Sequence, residues 1–102
     1  MSAPLNVTWD DRKAQANLAT HGVTFAQAAT VLLDPWALTV FDAAHSQHEE
    51  RWFTLGASSE GKLLAVSHTY DQPEGSAQTK VRIISAREAT RRERQRYEDE
   101  PR

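Results

Sequence analysis

The sequence predicts an α+β fold, a mainly antiparallel β-sheet preceded by an αα-hairpin and followed by a C-terminal helix. Three observations carry that expectation. Between Asp10 and Asp34 the apolar side chains recur at helical spacing; from Trp36 the period changes to two; and from Thr79 an alternating run passes straight into a charged segment that reaches Glu98.

The chain has 102 residues, which fits a single domain spanning 1–102 with little surplus core. Its ends, 1–4 and 99–102, read as disordered. Apolar residues make up 39% and charged residues 25%, a balance that excludes wholesale disorder. Cysteine is absent, so a disulfide framework, a thiolate nucleophile and a thiolate metal site are excluded together. No segment has the make-up of a signal peptide or approaches membrane-spanning length, and the expected setting is the cytoplasm with no membrane partner. The net charge is −2, unevenly spread: residues 80–102 carry eight basic and five acidic side chains, +3, whereas residues 1–79 carry four and nine, −5. A basic end on an acidic body suits a polyanion or an acidic partner protein; the same charges also suit a solvated, salt-bridged surface helix. The negative total argues against a dedicated DNA-binding protein.

In chain order, Leu5, Val7 and Trp9 alternate with polar residues and read as a first strand. Asp10 is an N-cap for a helix to about Thr20, with Ala14, Leu18 and His21 on one face and Gly22 as its left-handed stop. Thr24 and Gln27 form the capping box of a second helix, whose apolar stripe is Phe25, Ala28, Ala29 and Leu32. Asp34 before Pro35 closes it. Strands follow at 37–42, 51–57, 62–70 and 79–86, with a hairpin turn at 58–61, a connecting loop at 43–50 and a polar loop at 71–77. Residues 63–66 are apolar at each position, and Val81, Ile83 and Ile84 nearly so, the pattern of central strands covered on both faces. One cover is the αα-hairpin; the other is the C-terminal helix or a partner. Ser85 and Glu88 read as another capping box, so that helix would start there and run to about Asp99, docking loosely for want of apolar side chains. The three tryptophans, Trp9, Trp36 and Trp52, are expected to anchor packing.

The chemistry open to the chain is acid–base work on a substrate held by arginines. Of four histidines, His21 ends a helix next to a glycine, a structural place. His45 and His48 share a loop with Glu49, Glu50 and Arg51, where an imidazole beside a carboxylate is either an oriented base or part of a hydrated turn. His68 lies on an apolar strand face, which suits a packed, hydrogen-bonded histidine unless that face opens to a cleft. The His45-x-x-His48-Glu49 spacing is not that of a zinc helix, so no metal site is expected. Four scattered glycines exclude a phosphate loop, and Ser46 and Ser85 lack a triad context. Cleavage of an RNA backbone suits this inventory and needs no cofactor. A base takes the 2′-hydroxyl proton, the oxygen attacks phosphorus, arginines offset the charge and an acid protonates the leaving oxygen. His45 or Glu49 can serve as base and acid, and Arg51, Arg82 and Arg87 can hold phosphate.

The order of the residues says more than their chemistry. The succession Trp9-Asp10-x-x-Lys13, Asn17, His21-Gly22-Val23-x-Phe25, Asp34-Pro35, Asp42 and His45-Ser46 resembles the BrnT toxin family. So does the second half: Glu49-Glu50-Arg51-Trp52, Gly56, Leu63-Leu64, Val66, His68-Thr69, Arg82-Ile83-Ile84-Ser85-Ala86-Arg87, Ala89-Thr90, Glu93-Arg94 and Tyr97-Glu98. The likeness is colinear from Val7 to Glu98. One departure is the loop after Tyr70, longer and more acidic than the family pattern, with Asp71 where a basic residue often sits.

The resemblance implies a RelE-like fold and a ribonuclease toxin of a type II toxin–antitoxin pair. It also implies a BrnA-like antitoxin that neutralises the toxin, operator DNA contacted only through the antitoxin complex, and a symmetric hetero-oligomer. Within the matching motifs the candidate catalytic residues are His45, Glu49, Arg51, His68 and Arg82, and the candidate RNA-binding residues are Lys13 and Arg87. The alternative from another class is a catalytically inert module that binds an antitoxin and acts as co-repressor. Direct DNA binding by the arginine-rich helix is weakest, because acids dilute its charge.

Overall fold

The computed structural model describes residues 5–101. Its elements are β1 (Leu5–Trp9), α1 (Asp11–His21), α2 (Phe25–Val31), β2 (Leu38–Phe41), β3 (Trp52–Ala57), β4 (Leu63–His68), β5 (Thr79–Glu88) and α3 (Arg91–Asp99). The five strands form one sheet in the order β1-β5-β4-β3-β2; β1 runs parallel to β5 and the other pairs are antiparallel. The expected α+β architecture, an αα-hairpin before the sheet and a helix after it, is the one observed. Of the ends expected to be disordered, residues 1–4 and 102 lie outside the described residues, and Asp99 closes α3.

The first three elements follow their local signals. Asp10 accepts hydrogen bonds from the backbone N–H groups of Arg12 (2.8 Å) and Lys13 (3.1 Å), and Gly22 ends α1 at φ 69°, where a β-carbon would be strained. Thr24 and Gln27 cap α2 reciprocally, at 3.0 Å each way. The inward face of α1 differs from the expected one. Leu18 is 48% exposed and His21 is exposed, and the buried residue is Asn17. Nor does every tryptophan anchor the core: Trp36 is 52% exposed and Trp9 sits at the rim, edge-on to Phe25.

Strand alternation splits the side chains between two cores. On the hairpin side, Val23, Phe25, Ala28 and Val31 pack on Leu64, Val66, Ile83 and Ala86. On the other side, Leu55, Leu63 and Ala65 are covered by Ala89 and Tyr97. Residues 63–66 are therefore all buried, and the second cover is α3. Gly56 lets α2 close down on β3, because a β-carbon there would lie 3.0 Å from Val31 Cγ1 and 3.1 Å from Asp34 Oδ2.

Two further features position the functional surface. The β4–β5 register steps from Ser67↔Ser85 to His68↔Ile83, leaving Ile84 as an extra residue on β5. This bulge shifts the alternation by one, so Ser85 and Arg87 emerge on the same face as Lys80 and Arg82 instead of the opposite one. The other feature is a correction. Residues 85–88 belong to β5, and the capping box of α3 is Thr90 with Glu93, not Ser85 with Glu88. Pairing with β4 from Ser67↔Ser85 to Leu64↔Glu88 prevails over the local capping signal, because it extends the sheet and buries Ala86.

Candidate active site

α3 covers only part of its side of the sheet. The remainder is floored by Phe53, Ser67 and Ser85 and overhung by the connection between β2 and β3. That connection is tied at its base, where Asp42 N–H donates to Arg51 O at 2.9 Å. Ser46 Oγ donates to Asp42 O at 2.6 Å and accepts from Arg51 N–H at 3.0 Å. Between these ties, residues 43–45 make one 3₁₀ turn, whose three-residue period stacks His45 over Asp42. His45 Nδ1 lies 2.8 Å from Asp42 Oδ2. A carboxylate accepts there, so the proton is on Nδ1 and Nε2 is the nitrogen left for a substrate. The carboxylate that orients His45 is thus Asp42, three residues earlier, rather than Glu49 or Glu50. Its signal in the sequence is Asp-x-x-His in a short polar turn.

The structure brings five of the expected residues onto one surface. His45 and Arg51 line a cleft with Phe53, Ser67, Ser85 and Arg87. They also line an adjoining depression with Glu49. Glu49 reaches on to a third, where it forms an ion pair with Arg82 beside Lys80 and Thr69. Arg87 is held more firmly. Its guanidinium donates to both oxygens of Glu93, at 2.7 and 3.1 Å, and lies 5.9 Å from the Phe53 ring centre. The Arg87 hydrogen bonds are the main reason the Glu93 carboxyl is held below the usual carboxylate range.

Two expected residues lie elsewhere. His68 is buried on the hairpin side of the sheet, at 0% exposure. Its Nδ1 is 3.0 Å from Thr69 O, an atom that only accepts, so Nδ1 carries the proton and Nε2 accepts from Thr54 Oγ1 at 2.6 Å. Thr54 in turn meets Thr39 Oγ1 at 2.8 Å. Burial lowers the His68 pKa, against a smaller upward effect of the bond to Thr69, and keeps the ring neutral. Lys13, in the first turn of α1, lines a separate depression with Asn17 and His21 that meets the cleft only at Ile84. Among the described residues, no three His, Asp or Glu side chains converge as a metal site, and no helix is long and apolar enough to cross a membrane.

Residues 9–93 match the family model described as "Ribonuclease toxin, BrnT, of type II toxin-antitoxin system". The fold is similar to the crystal structure of the Brucella abortus ribonuclease toxin BrnT, with a TM-score of 0.60 and 26% sequence identity over 86% of this chain and 99% of that one. No curated protein matches the chain.

Proposed function

The chain belongs to the BrnT family of ribonuclease toxins of type II toxin–antitoxin systems, and on that premise we propose that it cleaves RNA in the His45–Arg51–Arg87 cleft by acid–base chemistry without a metal ion. The observation that carries the reading is the convergence of an Asp42-oriented histidine, a glutamate and three arginines on one open sheet face. Glu49 takes the proton of the 2′-hydroxyl, whose oxygen bonds to phosphorus as the bond to the 5′-oxygen breaks. His45, entering the step as the imidazolium with its Nδ1–H held by Asp42, gives its Nε2 proton to that leaving oxygen and is left neutral. Arg51, Arg82 and Arg87 balance the charge that develops on the non-bridging oxygens. The products are a 2′,3′-cyclic phosphate and a 5′-hydroxyl. Lys13 contacts the RNA beyond Ile84, and His68 acts from behind the sheet, holding β3 against β4 through Thr54.

A type II family implies an antitoxin partner. We place it as a BrnA-like protein that covers the cleft in the cytoplasm, assembles symmetrically with the toxin and supplies the contact to operator DNA.

The test is RNA cleavage by the purified protein in excess chelator. Wild type is expected to cut, and His45→Ala and Glu49→Ala each to lower kcat by about 10²-fold or more, the range for losing a general acid or base. Absence of cutting by wild type, or cutting at the wild-type rate by both variants, would overturn the proposal. Induced expression supplies the cellular check: growth arrest relieved by co-expression of the antitoxin is expected, whereas unaffected growth beside a tight complex would point to the inert module.

A further inference from the structure

We infer that Ser67 and Ser85 are positioning residues that seat the scissile phosphate between Arg51 and Arg87, an assignment that rests on the ribonuclease reading. Ser67 and Ser85 are paired across β4 and β5. Directly opposed residues bring their β-carbons to about 4.5–5.5 Å, close enough for both hydroxyls to reach oxygens of one phosphate. Both side chains are half-buried and line the cleft that His45, Arg51 and Arg87 also line.

Their state of bonding sets them apart. Ser46, Ser58 and Thr54 all use their hydroxyls within the chain. Ser67 and Ser85 make no side-chain hydrogen bond among the described residues. A polar group withdrawn from bulk water is stabilised by a partner, and here the open side of the cleft is where a partner can enter. The flanking charge selects an anion. Arg87 uses three of its N–H donors on Glu93 and Glu88, which leaves two of the guanidinium's five. With Glu93 and Phe53 fixing its plane, Arg87 acts as a rigid wall rather than a mobile side chain. The Ile84 bulge supplies the geometry: without the extra residue, Ser85 would point into the αα-hairpin side and Ser67 would face a different side chain.

Hydroxyls that hold a phosphate before and during reaction contribute to binding more than to the chemical step. In Ser67→Ala/Ser85→Ala, KM for a short RNA should therefore rise about tenfold or more, with kcat changed much less. Ser→Thr at both positions should restore part of the loss, and the unfolding midpoint should stay at the wild-type value. A second readout is independent of cleavage: inorganic phosphate titrated into the intact protein should shift the backbone amide resonances of Ser67 and Ser85, and the response should weaken in the double alanine variant. Unchanged KM with an unchanged phosphate response would overturn the assignment. If wild type cuts no RNA, the ribonuclease reading fails by itself, and the phosphate titration alone decides the cradle.

Discussion

Asn17 shows what a single side chain contributes to this fold. β1 pairs with β5 only as far as Trp9↔Ile83, so the outward backbone groups of Ala86 have no strand beside them. The Asn17 carboxamide replaces that strand. Its Nδ2 donates to Ala86 O at 2.8 Å and to Val23 O at 3.0 Å, and its Oδ1 accepts from Ala86 N–H at 3.0 Å. An amide matches a peptide group in donors and acceptors, which explains an asparagine where helical periodicity asks for an apolar residue. Asn17→Ala would leave three buried backbone groups unpaired and is expected to cost about 2–4 kcal/mol, read from the urea midpoint at constant m-value. Asn17→Asp should cost at least as much, because it presents a charge to two carbonyl oxygens.

At the scale of the element, α3 is the informative case. Nine residues are too few for a stable isolated helix, and none of its side chains is fully buried. It is held at two points. Glu93 caps the first turn through Thr90 N–H at 2.9 Å and binds Arg87 of β5 with the same carboxylate. Tyr97 donates its hydroxyl to Asp34 Oδ2 at 2.6 Å, the oxygen that also accepts from Ala57 N–H at 2.8 Å. Asp34 thus ties the end of α2, the end of β3 and α3 together. Glu93→Ala removes a cap worth about 1 kcal/mol together with the Arg87 contact, so α3 should loosen before the sheet does. Trypsin reports this directly: cleavage after Arg91, Arg92, Arg94 and Arg96 should speed up several-fold in Glu93→Ala, with the denaturation midpoint of the sheet little changed. Equal digestion of the two proteins would show that α3 is held by its apolar contacts instead.

For the whole molecule, two ionisable groups make stability fall on the acid side. His68 is held below its ordinary value of 6.5. Above about pH 6.5 it is neutral whether the chain is folded or not; below it, the unfolded chain takes up a proton that the folded chain resists. Stability then declines by up to about 1.4 kcal/mol per pH unit until the lowered native value is passed. Glu93 is held below its ordinary 4.5, so its contribution is complete above that pH and is lost as the pH falls through its native value. Denaturation measured from pH 7.5 to 4 should show the first decline setting in near 6.5, and His68→Gln should remove it. A first decline that persists in His68→Gln would assign it to another group.

What could be read from the chain alone was whatever local physics decides: the caps at Asp10 and Thr24, the stop at Gly22, the change of period at Trp36 and the doubly buried run at 63–66. Each depends on neighbours within a few residues, so sequence suffices. The candidate residues His45, Glu49, Arg51, Arg82 and Arg87 were legible as types and, through the family resemblance, as positions; their common face was not. Arg82 and Arg87 are an odd number of residues apart, and simple alternation sends them to opposite faces. Only the bulge at Ile84 reconciles them. The burial of His68 followed from its apolar strand face. The partner of His45, the role of Asn17 and the start of α3 were decided by tertiary structure. In each, a contact with a distant strand or across a turn outweighs the local preference, because a buried polar group must find its partner wherever the fold provides one.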